Sequence, residues 1–246
     1  MIFRNDGTRI VTTTDPYGNI AERIRIDPDG TETILIQSAS NIVIGQPLPP
    51  PPPPPDFNVI LPPIQINIAQ ELYIVEADRA SQNDIVAALI AQPVEVVERP
   101  YTLEEIRYSD RIRDKVRRID LTTITFDTGS AAINPDQFDE LIEIGQALQE
   151  ILGMFPNAVF LVEGHADAVG SEYSNLLLSD RRAETVAVAL STNFGIPPEN
   201  LITQGYGEAF LKIPTLAAER QNRRVALRNI TELLFADTPV VEPPRG

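Results

Sequence analysis

Residues 158–195 read AVFLVEGHADAVGSEYSNLLLSDRRAETVAVALSTNFG. Residues 158–162 are continuously apolar, the mark of a strand buried on both faces. A polar loop follows over residues 164–174. A helix is expected from about residue 175 to 194, with Asn175 as its N-cap, and Gly195 suits the left-handed position just past its end. The i, i+4 row of that helix is Leu178, Arg182, Val186, Leu190 and Phe194. Four of the five are apolar, so the row faces the sheet. Arg182 is its one charge, while Arg181 points ~100° away, toward Glu184 and solvent. A guanidinium cannot shed its proton, and burying it unpaired is costly. Arg182 therefore needs a carboxylate nearby.

The preceding loop supplies one in Gly164-His165-Ala166-Asp167. Arg182 lies ~10 Å along the helix axis from Asn175, and the loop is long enough to fold back and bring Asp167 close. An Asp and an Arg side by side at the rim of a sheet can receive a zwitterion. The carboxylate takes an ammonium, and the guanidinium fork takes a carboxylate. Spacing alone leaves the alternative open: an internal Asp–Arg salt bridge that only fixes the loop.

Upstream, residues 121–126 form an expected strand. Asn134-Pro135 gives an N-cap followed by Pro at the first helical position. Phe138, Leu141, Ile142, Leu148, Ile151 and Leu152 mark one helical face, and Pro156 ends that unit. Downstream, residues 200–204 and 224–229 are further strands. The order is β-α-β-α-β, a loop and a last β, which describes helices packed on a sheet. In Asn222-Arg223-Arg224-Val225 alternation sends one Arg to each face, so only one can line a site. Gly205-Tyr206-Gly207 is a turn rather than a phosphate loop, because no helix with Lys-Ser/Thr follows.

Residues 1–46 form an expected β-meander with strands at 8–14, 20–26 and 31–36. Asp15-Pro16-Tyr17-Gly18 and Asp27-Pro28-Asp29-Gly30 separate them as type I turns. Three strands alone are marginal in water, so they lean on the rest of the chain or on a partner. Residues 47–71 are a Pro-rich linker whose seven consecutive prolines, 49–55, impose polyproline II. Residues 72–118 are a mixed connecting segment, with capping patterns at 81–84 and 102–105. Its expected basic helix carries Arg107, Arg111, Arg113, Lys115, Arg117 and Arg118. Such a helix can bind an anionic surface, but is more often a solvated face or an internal counterweight to acidic neighbours. Residues 119–231 form the main domain, and 232–246 a C-terminal tail.

The 246 residues include 20 Lys+Arg and 35 Asp+Glu, a formal charge of -15, which has the wrong sign for binding nucleic acid. Hydrophobic content of 43% is enough for a core. With no Cys and a single His, disulfides, thiol nucleophiles and the usual zinc sites drop out, so no metal or cofactor is expected. His165-x-Asp167 lacks a third ligand, and His165 is expected as a satisfied loop histidine. Glu163 and Asp167 offer no paired geometry for a glycan hydrolase. The N-terminus has no basic stretch followed by an apolar run, so no signal peptide is expected, and no apolar run reaches the ~18 residues of a membrane helix. The chain as given is expected to be soluble.

These motifs together resemble the OmpA-like peptidoglycan-binding domain. The resemblance runs through Ile124-Thr125-Phe126-Asp127 with Gly129-Ser130, then Glu163-Gly164-His165-Ala166-Asp167 with Gly170. It continues in order through Asn175, Leu178-Ser179, Arg182-Ala183, Gly205-Tyr206-Gly207-Glu208 and Asn222-Arg223-Arg224-Val225. Position 166 is Ala where many members carry Thr, and position 219 is Glu where an Arg commonly stands. The resemblance implies an α+β fold, a βαβαββ sandwich with a mixed sheet. It implies a non-catalytic module of the periplasm and outer-membrane-associated envelope that grips the diaminopimelate of the peptidoglycan peptide stem. Asp167 and Arg182 match the gripping pair; Asn175, Asn222 and Arg223 match positions near it. A further envelope or outer-membrane partner is expected to dock through residues 1–60. The alternative is a structural or interaction protein that keeps the fold without binding the wall.

Overall fold

The computed structural model describes residues 1–4, 7–14, 20–37 and 62–235. An N-terminal antiparallel sheet is built from β1 (Ile2–Phe3), β2 (Arg9–Thr14), β3 (Ile20–Ile26) and β4 (Glu32–Gln37), in that spatial order. The second expected turn is present. Gly30 N–H donates to the Asp27 carbonyl at 2.9 Å, and Gly30 takes φ 88°. The 15–18 turn, the proline run and most of the tail lie outside the described residues.

The larger unit runs through α1 (Gln70–Tyr73), β5 (Ile74–Glu76), α2 (Gln82–Leu89), α3 (Leu103–Tyr108), α4 (Asp110–Arg113) and β6 (Arg118–Leu121). Then come α5 (Ile142–Met154), β7 (Phe160–Gly164), α6 (Glu172–Phe194), β8 (Leu201–Gly205), β9 (Val225–Asn229) and α7 (Thr231–Leu234). Its sheet is mixed, in the order β5-β6-β9-β7-β8. β5 is parallel to β6, and β7 to β8, while the central β9 is antiparallel to both of its neighbours. From β6 onward the elements follow the expected βαβαββ order.

Strand alternation divides the core in two. Phe160, Val162, Leu201, Val225 and Leu227 face Leu148, Ile151, Val186 and Leu190 of α5 and α6. On the other face Leu161 and Ile202 meet Ile106, Ile112 and Val116, and also Ile10 and Leu35 of the N-terminal sheet. The meander therefore leans on its own chain. Arg107 Nη2 donates to the Ile34 carbonyl at 3.0 Å, and Arg4 pairs with Glu199 at 2.6 Å.

Several local expectations shift. The apolar stretch 121–126 is strand only at its start. The chain turns, with Ile124 N–H donating to the Leu121 carbonyl at 3.2 Å, and Ile124 and Phe126 are buried from irregular backbone. Residues 135–141 form a 3₁₀ turn before α5. At three residues per turn this changes the phase of the helical face. Leu141, Ile144, Leu148 and Ile151 are fully buried, whereas Phe138 and Ile142 lie exposed. α6 starts four residues earlier than expected, capped by Ser171, whose side chain accepts from Ser174 N–H. The basic helix breaks at extended Ser109 and ends at Arg113, so residues 118–121 enter the sheet instead.

Most of those basic side chains balance acids inside the fold. Arg111 pairs with Glu95 at 2.6 Å, and the fully buried Lys115 with Glu98 at 3.1 Å. Glu163 of β7 lies between Arg228 of β9 at 3.1 Å and Arg113 of α4 at 3.2 Å. Arg228 also reaches Asp114 at 3.1 Å and the carbonyls of Arg113 and Val116 at 2.9 and 2.7 Å. Burial alone would raise the Glu163 pKa. The charge of Arg228, a His165 contact and Arg113 overcome it and hold the carboxyl well below its ordinary range.

Two glycines let α6 lie against the strand ends. Gly164 and Gly205 are paired across β7 and β8. A Cβ on Gly164 would sit 1.8 Å from the Ser179 carbonyl oxygen, and one on Gly205 would sit 2.4 Å from the Asp180 nitrogen. Only hydrogen fits at either place.

Candidate functional site

The close approach of α6 sets the first half of this helix beside the loop that leaves β7. That loop is clamped by backbone bonds. His165 N–H donates to the Arg224 carbonyl at 2.9 Å, and Ala166 N–H to the Gly207 carbonyl at 2.8 Å. Asp167 follows, 5% exposed. Asn175, in the first turns of α6 rather than at its cap, ties the pieces together. Its amide donates to the Asp167 carbonyl at 3.0 Å and to Glu208 Oε2 at 2.6 Å. Glu208 was not among the expected site residues. It ends the Gly-Tyr-Gly-Glu motif, but its approach to Asn175 comes from tertiary folding.

Arg182 is fully buried, yet its partners are not carboxylates. Nε donates to the Ser130 carbonyl at 3.0 Å, Nη1 to that of His165 at 3.2 Å and Nη2 to that of Asp127 at 3.4 Å. Its guanidinium lies 5.0 Å over the Phe126 ring. Burial first, and then the neighbouring charge of Arg223, lower its pKa to about 10, with Asp167 opposing. The required compensation comes from carbonyl dipoles of two loops converging on one cation. Asp167 instead pairs with Arg223, Nη1 to Oδ2 at 2.7 Å. Arg223 Nε also donates to the Phe126 carbonyl at 3.3 Å.

Two guanidiniums thus share the neighbourhood of Asp167. The Asp167–Arg223 pair carries what opening there is, with side chains 6% and 15% exposed. As alternation requires, Arg224 turns to the opposite side, toward Asp120. Asn222 does not face the opening. It is fully buried and exchanges a pair of 2.8 Å bonds with the Ile213 backbone, holding the 206–223 loop in shape.

His165 is not the satisfied loop histidine expected. Neither ring nitrogen makes a hydrogen bond, and the ring stacks on Tyr206 at 5.8 Å. Its Nε2 stands 3.9 Å from Glu163 Oε2. Burial first, then the charge of Arg224, lower its pKa to about 4 despite Glu163. No group of three His, Cys, Asp or Glu among the described residues could hold a metal ion. Nor is any described helix long and apolar enough to cross a membrane.

Residues 125–224 match the model of the OmpA family. Over 106 residues the chain is 34% identical to the probable lipoprotein YiaD of Escherichia coli (strain K12), covering 42% of this chain and 46% of that protein. It is 37% identical over 106 residues to the outer-membrane lipoprotein YfiB of Pseudomonas aeruginosa, covering 42% and 60%. It is 36% identical over 85 residues to the peptidoglycan-associated lipoprotein of Agrobacterium fabrum, covering 35% and 45%. The chain thus spans about half the length of these curated relatives.

Proposed function

With residues 125–224 an OmpA-family domain, we propose that this domain holds peptidoglycan in the cell envelope without catalysing a reaction on it. The envelope setting and the wall ligand follow the relatives' descriptions as outer-membrane and peptidoglycan-associated lipoproteins. The observation that carries the reading is the Asp167–Arg223 pair, Nη1 to Oδ2 at 2.7 Å, which keeps an acid and a guanidinium side by side at the rim. The buried Arg182, bonded to three carbonyls, lies behind it. Such a rim pair can take an ammonium on the acid and a carboxylate on the guanidinium.

A zwitterionic end such as that of diaminopimelate meets both needs. Its ammonium competes for Asp167, and its carboxylate takes the donors that Arg223 then releases. Arg182 acts from beneath, holding the carbonyls of residues 127, 130 and 165 as the wall of the site. This gives Arg223, rather than Arg182, the direct contact. Asn175 keeps Asp167 in place, and Asn222 keeps the loop before Arg223 in place.

Sedimentation with purified sacculi tests the reading. Asp167→Ala and Arg223→Gln, each confirmed folded by its melting curve, are expected to lose most of the sedimenting fraction. If both sediment like the parent, the reading fails. A second reading, an OmpA fold kept for structural or interaction purposes, draws on the closed Asp167–Arg223 pair. Titration with a diaminopimelate-containing peptide separates the two, because no binding at millimolar concentration favours the second.

A further inference from the structure

We propose that a groove at the β5 edge of the sheet, remote in chemistry from the Asp167 rim, binds an oxyanion, a carboxylate or phosphate group borne on a small and partly apolar ligand. The groove has a volume of about 980 Å³ and runs between α1, β5 and α2 on one side and residues 209–212 with Arg224 on the other. Its lining is cationic on an acidic protein. Arg79, Arg117, Arg118, Lys212 and Arg224 face Glu71, Glu76 and Asp84. The Asp84 carboxylate is already spent on the Ser81 cap, at 2.7 and 2.9 Å.

Beneath the groove lies Asp120, fully buried. Three cations crowd this single carboxylate: Arg118 at 2.7 Å, Lys212 at 3.2 Å and Arg224 at 3.7 Å. Lys212 is shared with Glu76. Arg224 is the telling member. It is 2% exposed, and its Nε and Nη1 make no hydrogen bond; only Nη2 donates, to the Phe210 carbonyl at 3.2 Å. Nε faces Asp120 at 3.7 Å, which leaves Nη1 idle. A buried guanidinium nitrogen is costly to leave so, and an oxyanion accepting from it removes the cost. Arg117, another member of the basic segment, lines this groove, and its Nε makes no hydrogen bond either. Leu72, Val75 and Phe210 offer apolar surface beside the charges.

The test is an amide NMR titration of the whole chain at low ionic strength with sodium phosphate and, separately, with succinate. Sodium chloride at matched ionic strength is the control. Saturable shifts at Glu76, Lys212 and Arg224 are expected with at least one probe. Saturation by phosphate alone assigns a phosphate ligand, and by succinate alone a carboxylate ligand. Arg117→Ser and Lys212→Gln are each expected to weaken the midpoint at least fivefold. Arg117→Ser touches no partnered group and serves as the variant that keeps its fold. Shifts that chloride reproduces, no saturation with either probe, or saturation indifferent to both variants would each overturn the proposal. Sedimentation of Arg117→Ser with sacculi should match the parent, so this site stands or falls apart from the rim.

Discussion

Arg182 shows how one buried side chain can organise two loops. Its guanidinium gathers three carbonyls from two loops, so its shape matters as much as its charge. Arg182→Lys keeps the cation but cannot span residues 127, 130 and 165. It is expected to lower stability by about 1–3 kcal/mol, read by urea denaturation. His165 makes a second prediction at this scale. Its folded pKa, about 4, lies below the unfolded value of ~6.5. Between these values the unfolded chain binds the extra proton, so stability falls as pH drops from ~6.5 to ~4, by about 1.4 kcal/mol per unit at most. His165→Gln is expected to flatten that slope relative to the parent, measured by denaturation at pH 7 and pH 4.5. Glu163, with its pKa depressed, keeps its contribution until lower pH.

Among the elements, α6 was the most legible. Its Gly195 end and its lone buried Arg182 are properties of the local sequence and appear in the fold; of its i, i+4 row Arg182, Val186 and Leu190 are buried, while Leu178 and Phe194 are only half-buried. Its start is ambiguous in sequence because Ser171 and Asn175 are both good caps, and the tertiary demand on Asn175 leaves the cap to Ser171. β5 has three residues, too few for alternation to register, and α5 carried a 3₁₀ turn that rotated its face. The Asp167–Arg223 pair was beyond reach because it joins residues 56 apart through a loop of irregular shape. Gly164 and Gly205 touch α6 at the ends of β7 and β8, a contact that the expected loop and turn at these positions do not announce. Gly205→Ala is expected to push α6 outward and cost about 1–3 kcal/mol or more, with a lowered melting temperature. Ser171→Ala should cost only about 1 kcal/mol.

For the molecule as a whole, the buried charges join what the sequence divided. Glu163, Arg228, Arg113 and Asp114 link β7 and β9 to the segment before β6. Glu163→Gln leaves two buried guanidiniums short of a counter-charge and is expected to cost about 3–5 kcal/mol. A chain cut to residues 119–235 strands the same groups and bares Ile202 and Leu161. It is expected to lack a cooperative thermal transition by circular dichroism. A sharp melt at the parent's temperature would show that the earlier segment is dispensable.

The strand in the middle of the five-stranded sheet, β9, is the last of the five to leave the ribosome. Until residue 229 has emerged, β5–β6 and β7–β8 lack the strand that joins them in the finished sheet, and the edges that β9 covers there have no partner. Nascent chains halted upstream of Val225 should therefore be prime clients for chaperones, and premature termination there should yield aggregation rather than a smaller working protein.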